Sequence, residues 1–387
     1  MEDRVMQFLA NETGGKSYKA HKYGLDHAER PFIDYTEDKI TWERTAETTP
    51  HRSYVPLEKL SNSLAGRGDQ LLTYFLDGSR RVYKVDDHSY TVSSGRNVIY
   101  PIIAGQIGVG CCKRINRRIH PEIFRREIVL SIPDIANADR KTGFFDGMAI
   151  KISQLPVLQR MGLEINSIIP YSTSKSEEKF EDKGTACIQD RMIQCEKDMV
   201  AEMVKKGLLN QRNYLVKDGS LEYRPSKDIL KDKRKSQIFK NNYNWVIGVS
   251  KNFNPEVCLD ISGKPNPGYI ADLKLYHRTP VACYTKPELF GDIMFAVWYV
   301  RIRDNSRTRT AFDGVLKIEK MLVTQEETEK GIDSDLVDML SALIINERNP
   351  VCYGSDLRWA NHIYPVFLTE SYVKSKYLSA ESFLHIF

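Results

Sequence analysis

A small set of acidic and basic side chains in this sequence has the types and spacing for chemistry on a phosphate ester. Asp77 and Asp218 each follow an apolar run and each begin an Asp-Gly-Ser tripeptide, Asp77-Gly78-Ser79 and Asp218-Gly219-Ser220. Carboxylates at the ends of buried strands offer the hard oxygen ligands that suit Mg²⁺ or Mn²⁺. Taken alone, each tripeptide reads more simply as a β-turn, because Asp-Gly is a strong turn signal. Glu196 is the third candidate. It lies four residues from Met192, three from Met199 and seven from Met203, so it falls within an apolar helical stripe. An inward carboxylate is costly unless it is paired or bound to a metal, and Arg191 or a buried lysine is the ordinary partner. Glu202, with Asp198, Lys205 and Lys206 as helical neighbours, reads as solvated. With Asp77 and Asp218, Glu196 would complete a three-carboxylate cluster able to hold one or two divalent ions for phosphodiester cleavage.

Two further features border this set. Lys251 closes the run Val246-Ile247-Gly248-Val249-Ser250, where it contacts a phosphate, balances the carboxylates or is a solvated strand end. His362 and Tyr364 lie beside Pro365. The histidine is a candidate ligand or proton carrier, although a lone histidine is more often structural.

These residues must be positioned by an α/β framework. Strands are expected over 71–76, 81–85, 97–109 and 127–132, followed by a long helix over about 185–206 that stops at Gly207. A strand over 213–217, a basic helix over 227–241 and a strand over 245–250 come next. Further strands are expected at 280–285, 293–303 and 314–318, and helices at about 333–346 and 368–378. Strands first, then alternating helix and strand, predict a mixed sheet. Residues 1–65 are polar and weakly periodic and read as an N-terminal extension, a candidate partner or dimer contact. Residues 66–387 read as the main domain.

The composition is ordinary for a globular protein, with 387 residues, 41% hydrophobic and 28% charged. A net charge of +5 is too small to argue for nucleic acid by itself, so placement has to decide. Basic runs occur at Lys113, Arg114, Arg117 and Arg118, at Lys231, Lys233, Arg234 and Lys235, and at Arg301, Arg303, Arg307 and Arg309. One such run is usually a solvated face; three predict a basic surface for a phosphate backbone, with contact largely independent of sequence. Seven cysteines with no CxxC pair predict reduced thiols, and the apolar runs are too short to span a bilayer, so a cytoplasmic protein is expected. No GxxxxGK[ST] loop, GxSxG elbow or Rossmann glycine pattern is present, and Gly105, Gly108 and Gly110 lack the Rossmann order.

In order, these motifs resemble the NurA nuclease family. The resemblance rests on Asp77-Gly78-Ser79-Arg80, a helix with an inward Glu, Tyr214-Leu215-Val216-Lys217-Asp218-Gly219-Ser220-Leu221, Val246–Lys251, and Tyr364-Pro365 with Leu368. It implies an RNase H-like core and a Mn²⁺- or Mg²⁺-dependent site acting on DNA. It also implies a homodimer working with a HerA-type hexameric ATPase, in DNA end processing or in defence against phage. By this resemblance Asp77, Asp218 and a helical acid bind metal; the inward face selects Glu196 over Glu202 for that acid, and either His362 supplies a further ligand or the site has one fewer. Lys251 and Tyr364 orient the phosphate, and Arg80, Arg114, Arg117, Arg118, Lys233 and Arg234 guide the strand. The family commonly places a His or an acid eight residues after the tyrosine, where this chain has Tyr372. That departure motivates the alternative of a catalytically degenerate subunit that binds DNA or docks a motor.

Overall fold

The computed structural model describes residues 5–18, 22–25, 41–51, 53–66, 71–91, 95–174, 178–221, 232–255, 258, 264, 266–285, 293–348 and 359–387. The part of the expected basic helix that covers 227–231 lies outside the described residues. Fourteen strands form one sheet. Four short strands precede the core: β1 (Lys16–Tyr18), β2 (Tyr23–Gly24), β3 (Thr41–Thr45) and β4 (Val55–Pro56). Three long ones follow, β5 (Leu72–Thr91), β6 (Asn97–Ile115) and β7 (Arg118–Pro133), then β8 (Ser167–Tyr171), β9 (Tyr214–Asp218) and β10 (Val246–Ser250). The sheet is completed by β11 (His277–Arg278), β12 (Ala282–Thr285), β13 (Met294–Arg301) and β14 (Val315–Leu322). The helices in chain order are α1 (Val5–Glu12), α2 (Glu58–Leu64), α3 (Phe144–Ser153), α4 (Pro156–Met161), α5 (Phe180–Lys205) and α6 (Lys233–Asn242). They continue with α7 (Pro267–Ala271), α8 (Gln325–Lys330), α9 (Ser334–Asn346), α10 (Tyr364–Lys374) and α11 (Ala380–Leu384). Among the described residues no helix is long and apolar enough to cross a membrane.

The centre of the sheet runs β7-β6-β5-β9-β10. β5, β6 and β7 are antiparallel, while β9 pairs parallel to β5 and β10 parallel to β9. Three antiparallel strands, a long helix and two strands laid parallel on the far side of the first make an RNase H-like core. The mixed sheet is extended from β10 through β14, β13, β12 and β3. The segments before residue 65 pair into it at three places, β1 and β2 on β5, β3 on β12, and β4 on β11.

Apolar burial explains the layering. α5 and α6 cover one face, where Ile188, Met199, Met203, Phe239 and Tyr243 pack on Leu76, Val109, Leu215 and Val246. α9 and α10 cover the other, where Val337, Leu340, Ile344 and Val366 pack on Phe75, Val216, Ile247 and Val249. Strands sandwiched this way read as continuous apolar runs rather than alternating ones. The glycines of β6 allow both layers to approach closely. A Cβ on Gly105 would meet Ile188 of α5 at 2.7 Å, and one on Gly110 would meet Val373 of α10 at 2.6 Å. The pattern that is not a Rossmann loop is therefore a helix-packing surface.

One local expectation is overturned. β5 does not end at Asp77. It runs unbroken to Thr91, with Asp77, Gly78 and Ser79 opposite Gly110, Val109 and Gly108 of β6. Gly78 is there for space and not for a turn: its missing side chain is filled by Glu196, whose Oε1 would lie 2.3 Å from a Cβ. Only the second tripeptide bends the chain, with Gly219 at φ +83 directly after β9. Gly78→Ala should cost about 1–3 kcal/mol, the usual scale of core overpacking. A thermal melt checks this, and an unchanged midpoint would show that Glu196 does not occupy that space.

Candidate active site

The register of three neighbouring strands assembles the site. Leu76 of β5 pairs with Lys217 of β9, and Asp218 pairs with Val249 of β10, so Asp77, Asp218 and Lys251 converge on one side of the sheet. β9 stops at Asp218 while β5 continues past it, leaving a step where the chain order reverses about β5. Sheets of this kind place ligands outside the carboxyl ends of their strands at such a switch point. Strand pleating then decides which side chains meet. Phe75 and Asp77 point toward α10, and Gly78 points toward α5.

On the α10 face, Lys251 Nζ lies 2.9 Å from Asp218 Oδ2 and 3.7 Å from Glu370 Oε2. Glu370 comes from α10, and its other oxygen is 2.8 Å from Lys374. Asp77 is 5% exposed, and among the described residues nothing donates a hydrogen bond to its Oδ2. Burial holds the Asp77 carboxyl well above the usual carboxylate range, with Asp218 raising it further against the pull of Lys251. Burial alone would lower Lys251, but the Asp218, Glu370 and Asp77 carboxylates push it up to about 12. Counted as ionised, the three carboxylates exceed the Lys251 and Lys374 ammoniums by one charge.

Glu196 lies on the opposite face. Its Oε2 is 3.3 Å from Lys217 Nζ, and both side chains are buried. The same ammonium donates to the Asp218 carbonyl at 2.6 Å and the Ser220 carbonyl at 3.2 Å. Ser220 Oγ and the Leu221 amide in turn donate to Glu319, which pairs with Lys317 at 2.9 Å. The structure thus places Glu196 beneath the turn that follows β9, where it anchors the lysine that fixes Asp218. Its paired state follows from the same inward geometry that singles it out in the sequence. Glu202 is at the surface with Arg125 and with Lys206 at 2.5 Å.

The other expected residues are dispersed. His362 is buried with its ring 5.4 Å from that of Phe367, in the turn before α10. Tyr364 is exposed at the start of α10, where Pro365 occupies a first-turn position. Tyr372 stacks edge-on against Phe124. Arg114 is committed to a bidentate pair with Glu347, both bonds 2.6 Å. Arg80 donates to Gln189 on the α5 face, and Arg117 forms the β6–β7 turn and donates to the Gly66 carbonyl. Arg118 is exposed at the start of β7. Lys233 and Arg234 open α6, whose Phe239 packs on the α5 face, away from Asp77 and Asp218. Arg80, Arg114, Lys233 and Arg234 are therefore engaged away from the Asp77 and Asp218 carboxylates.

Glu370 is the residue missed in the sequence. It lies four residues after Val366 and three before Val373, both buried in α10, the spacing that marks an inward helical position. The expected helix over 368–378 begins too late to show this stripe.

No protein-family model matches the chain, and no curated protein does. Among solved structures, the chain is similar to the NurA nuclease from Sulfolobus solfataricus, with a TM-score of 0.41 and 10% sequence identity over 85% of this chain and 90% of that one. A likeness that loose carries no argument about chemistry, which rests here on the strand order and on the side chains at the step between β5 and β9.

Proposed function

We propose that this protein is a divalent-metal-dependent DNA nuclease whose site is the step between β5 and β9. The observation that carries the reading is the buried Asp77 carboxylate, with one oxygen lacking a hydrogen-bond donor among the described residues, beside Asp218 and Glu370. Hard oxygens with a deficit of positive charge suit Mn²⁺ or Mg²⁺. Among the described residues no three His, Cys, Asp or Glu side chains already form a cage. The donor set and the charge fit a cation, which Asp77, Asp218 and Glu370 would hold once Lys251 turns outward. A bound cation would activate water and stabilise the leaving oxygen of a phosphodiester. Lys251 would then neutralise a phosphate oxygen, and Lys217 would keep the Asp218 backbone in register. Cleavage of DNA with Mn²⁺, lost with chelator and in Asp218→Asn, tests this reading; cutting that survives both would end it.

The sequence resemblance extends the proposal to a homodimer fed by a HerA-type translocase, in end processing or phage defence. The absence of a nucleotide-hydrolysing loop in the sequence supports a motor supplied by a partner. A second reading, a degenerate DNA-binding or motor-docking subunit, is favoured by Lys251, whose ammonium already lies among the carboxylates. Under that reading Mn²⁺ does not bind at the site.

The position of Glu196 gives a separate expectation. Glu196→Gln should leave Mn²⁺ affinity unchanged within about twofold while lowering stability by about 1–3 kcal/mol, as expected for a buried polar partner removed from Lys217. Cutting should fall partially. Isothermal titration with Mn²⁺ distinguishes this from a ligand role, in which binding itself collapses.

A further inference from the structure

A second concavity lies apart from the carboxylate step. It is a half-open cleft of about 840 Å³ lined by Arg303, Arg307, Arg348, Trp359 and Tyr276 among others. Two of its arginines lie over aromatic rings. The Arg303 guanidinium lies 5.2 Å from the centre of the Trp359 ring, and that of Arg348 lies 5.1 Å from the Tyr276 ring. Stacking of this kind orients a guanidinium, a group suited to phosphate oxygens, and one Arg348 nitrogen is further fixed by donating to the Ile345 carbonyl at 2.7 Å. Tyr276 has φ +54, a conformation that a bulky residue rarely adopts. Backbone bonds on both sides hold it there, from its amide to the Arg301 carbonyl at 2.9 Å and from the Leu57 amide to its carbonyl at 2.8 Å. Such strain gathers at ligand clamps.

Two neighbouring charges are hydrogen-bonded within the chain. Arg301, from the same basic run, is buried and donates to the carbonyls of Ala311, Ala271 and Ile270 at 2.7, 3.1 and 3.2 Å. It ties the floor of the cleft together. The Asp304 carboxylate, the acid in the lining, accepts from the amide and hydroxyl of Ser306 at 2.9 and 2.6 Å. Arg307 is exposed. Among the described residues the lining thus carries three arginines, Arg303, Arg307 and Arg348, against one carboxylate, Asp304.

A single turn joins it to the carboxylates. Trp359 and Asn361 belong to one 3-10 turn, and Asn361 Nδ2 donates to the Lys251 carbonyl at 2.7 Å while its Oδ1 accepts from the Gly314 amide at 2.5 Å. We propose that this cleft binds the phosphodiester backbone of a DNA strand, holding a segment remote from the reacting phosphate on the same face of the sheet. The identity of the strand rests on the nuclease reading; the binding itself does not.

The test is fluorescence anisotropy of a short labelled single-stranded oligonucleotide in chelator, across a salt series, with Trp359 emission recorded in parallel. Arg307→Ala, at an exposed position, and Arg303→Gln should each weaken binding about three- to tenfold and reduce the salt slope by about 0.7 for each phosphate that is no longer neutralised. Arg303→Lys, which keeps the charge and loses the flat fork, should fall between wild type and Arg303→Gln. Unchanged affinity and slope in folded Arg307→Ala and Arg303→Gln would overturn the proposal. So would a Trp359 response to inorganic triphosphate or a free nucleotide but none to DNA. Loss of cutting in Asp77→Asn with binding intact separates the cleft from the catalytic reading, and normal DNA binding by cleft variants of an active nuclease would leave only that reading standing.

Discussion

Asp77→Asn is expected to cut DNA at least about a thousandfold more slowly than the wild type, the scale of removing one preorganised charged group from an active site, while melting at the same or a higher temperature. The two halves of this result have one cause. Asp77 is buried, its carboxyl is raised by burial and by Asp218, and its Oδ2 has no donor among the described residues. A group whose folded value is raised adds stability below its ordinary range and loses it as pH rises through the folded value. Above that folded value Asp77 is thus a burden that asparagine removes. A purely structural Asp77 would behave oppositely, with its loss lowering the melting temperature. Differential scanning calorimetry and a cleavage time course on the same preparation separate the two.

Lys251→Met should destabilise the protein by about 3–5 kcal/mol at neutral pH, the usual cost of breaking a buried ion pair from one side. Asp77, Asp218 and Glu370 would then face one another without the ammonium that lies 2.9 Å from Asp218. The sign of the pH dependence is fixed. In the wild type Lys251 is held up to about 12, so its contribution is complete below the ordinary lysine range and is lost as pH rises through about 12. In the methionine variant Asp77 is raised further, and stability should recover as pH falls and it protonates. Mn²⁺ should restore stability as well, because a divalent cation replaces the missing charge. Recovery with acid but none with Mn²⁺ would indicate a charge cluster without a metal function.

Much of this arrangement was legible in the sequence because it is local. The apolar stripe on α5, the strand before Asp218 and the glycine stop after it follow from periodicity and turn chemistry. Asp77-Gly78-Ser79 misled because its glycine serves a contact with Glu196, more than a hundred residues away, which no local rule encodes. The same contact explains Glu196: its inward direction was readable, but which side of the sheet α5 would cover was not. That side was decided by pleating, which sets Asp77 and Gly78 on opposite faces. Glu370 carried the same inward signal and was hidden by a helix start placed four residues late. Arg114 shows the limit for charge runs, since the basic cluster was visible and its partner Glu347 was not.

Calorimetric titration of Mn²⁺ into wild type, Asp218→Asn and Glu196→Gln tests the central claim most directly. Saturable binding in the wild type, lost in Asp218→Asn and retained in Glu196→Gln, is the predicted result. No binding to the wild type, or binding that Asp218→Asn leaves intact, would contradict a metal site at the step between β5 and β9.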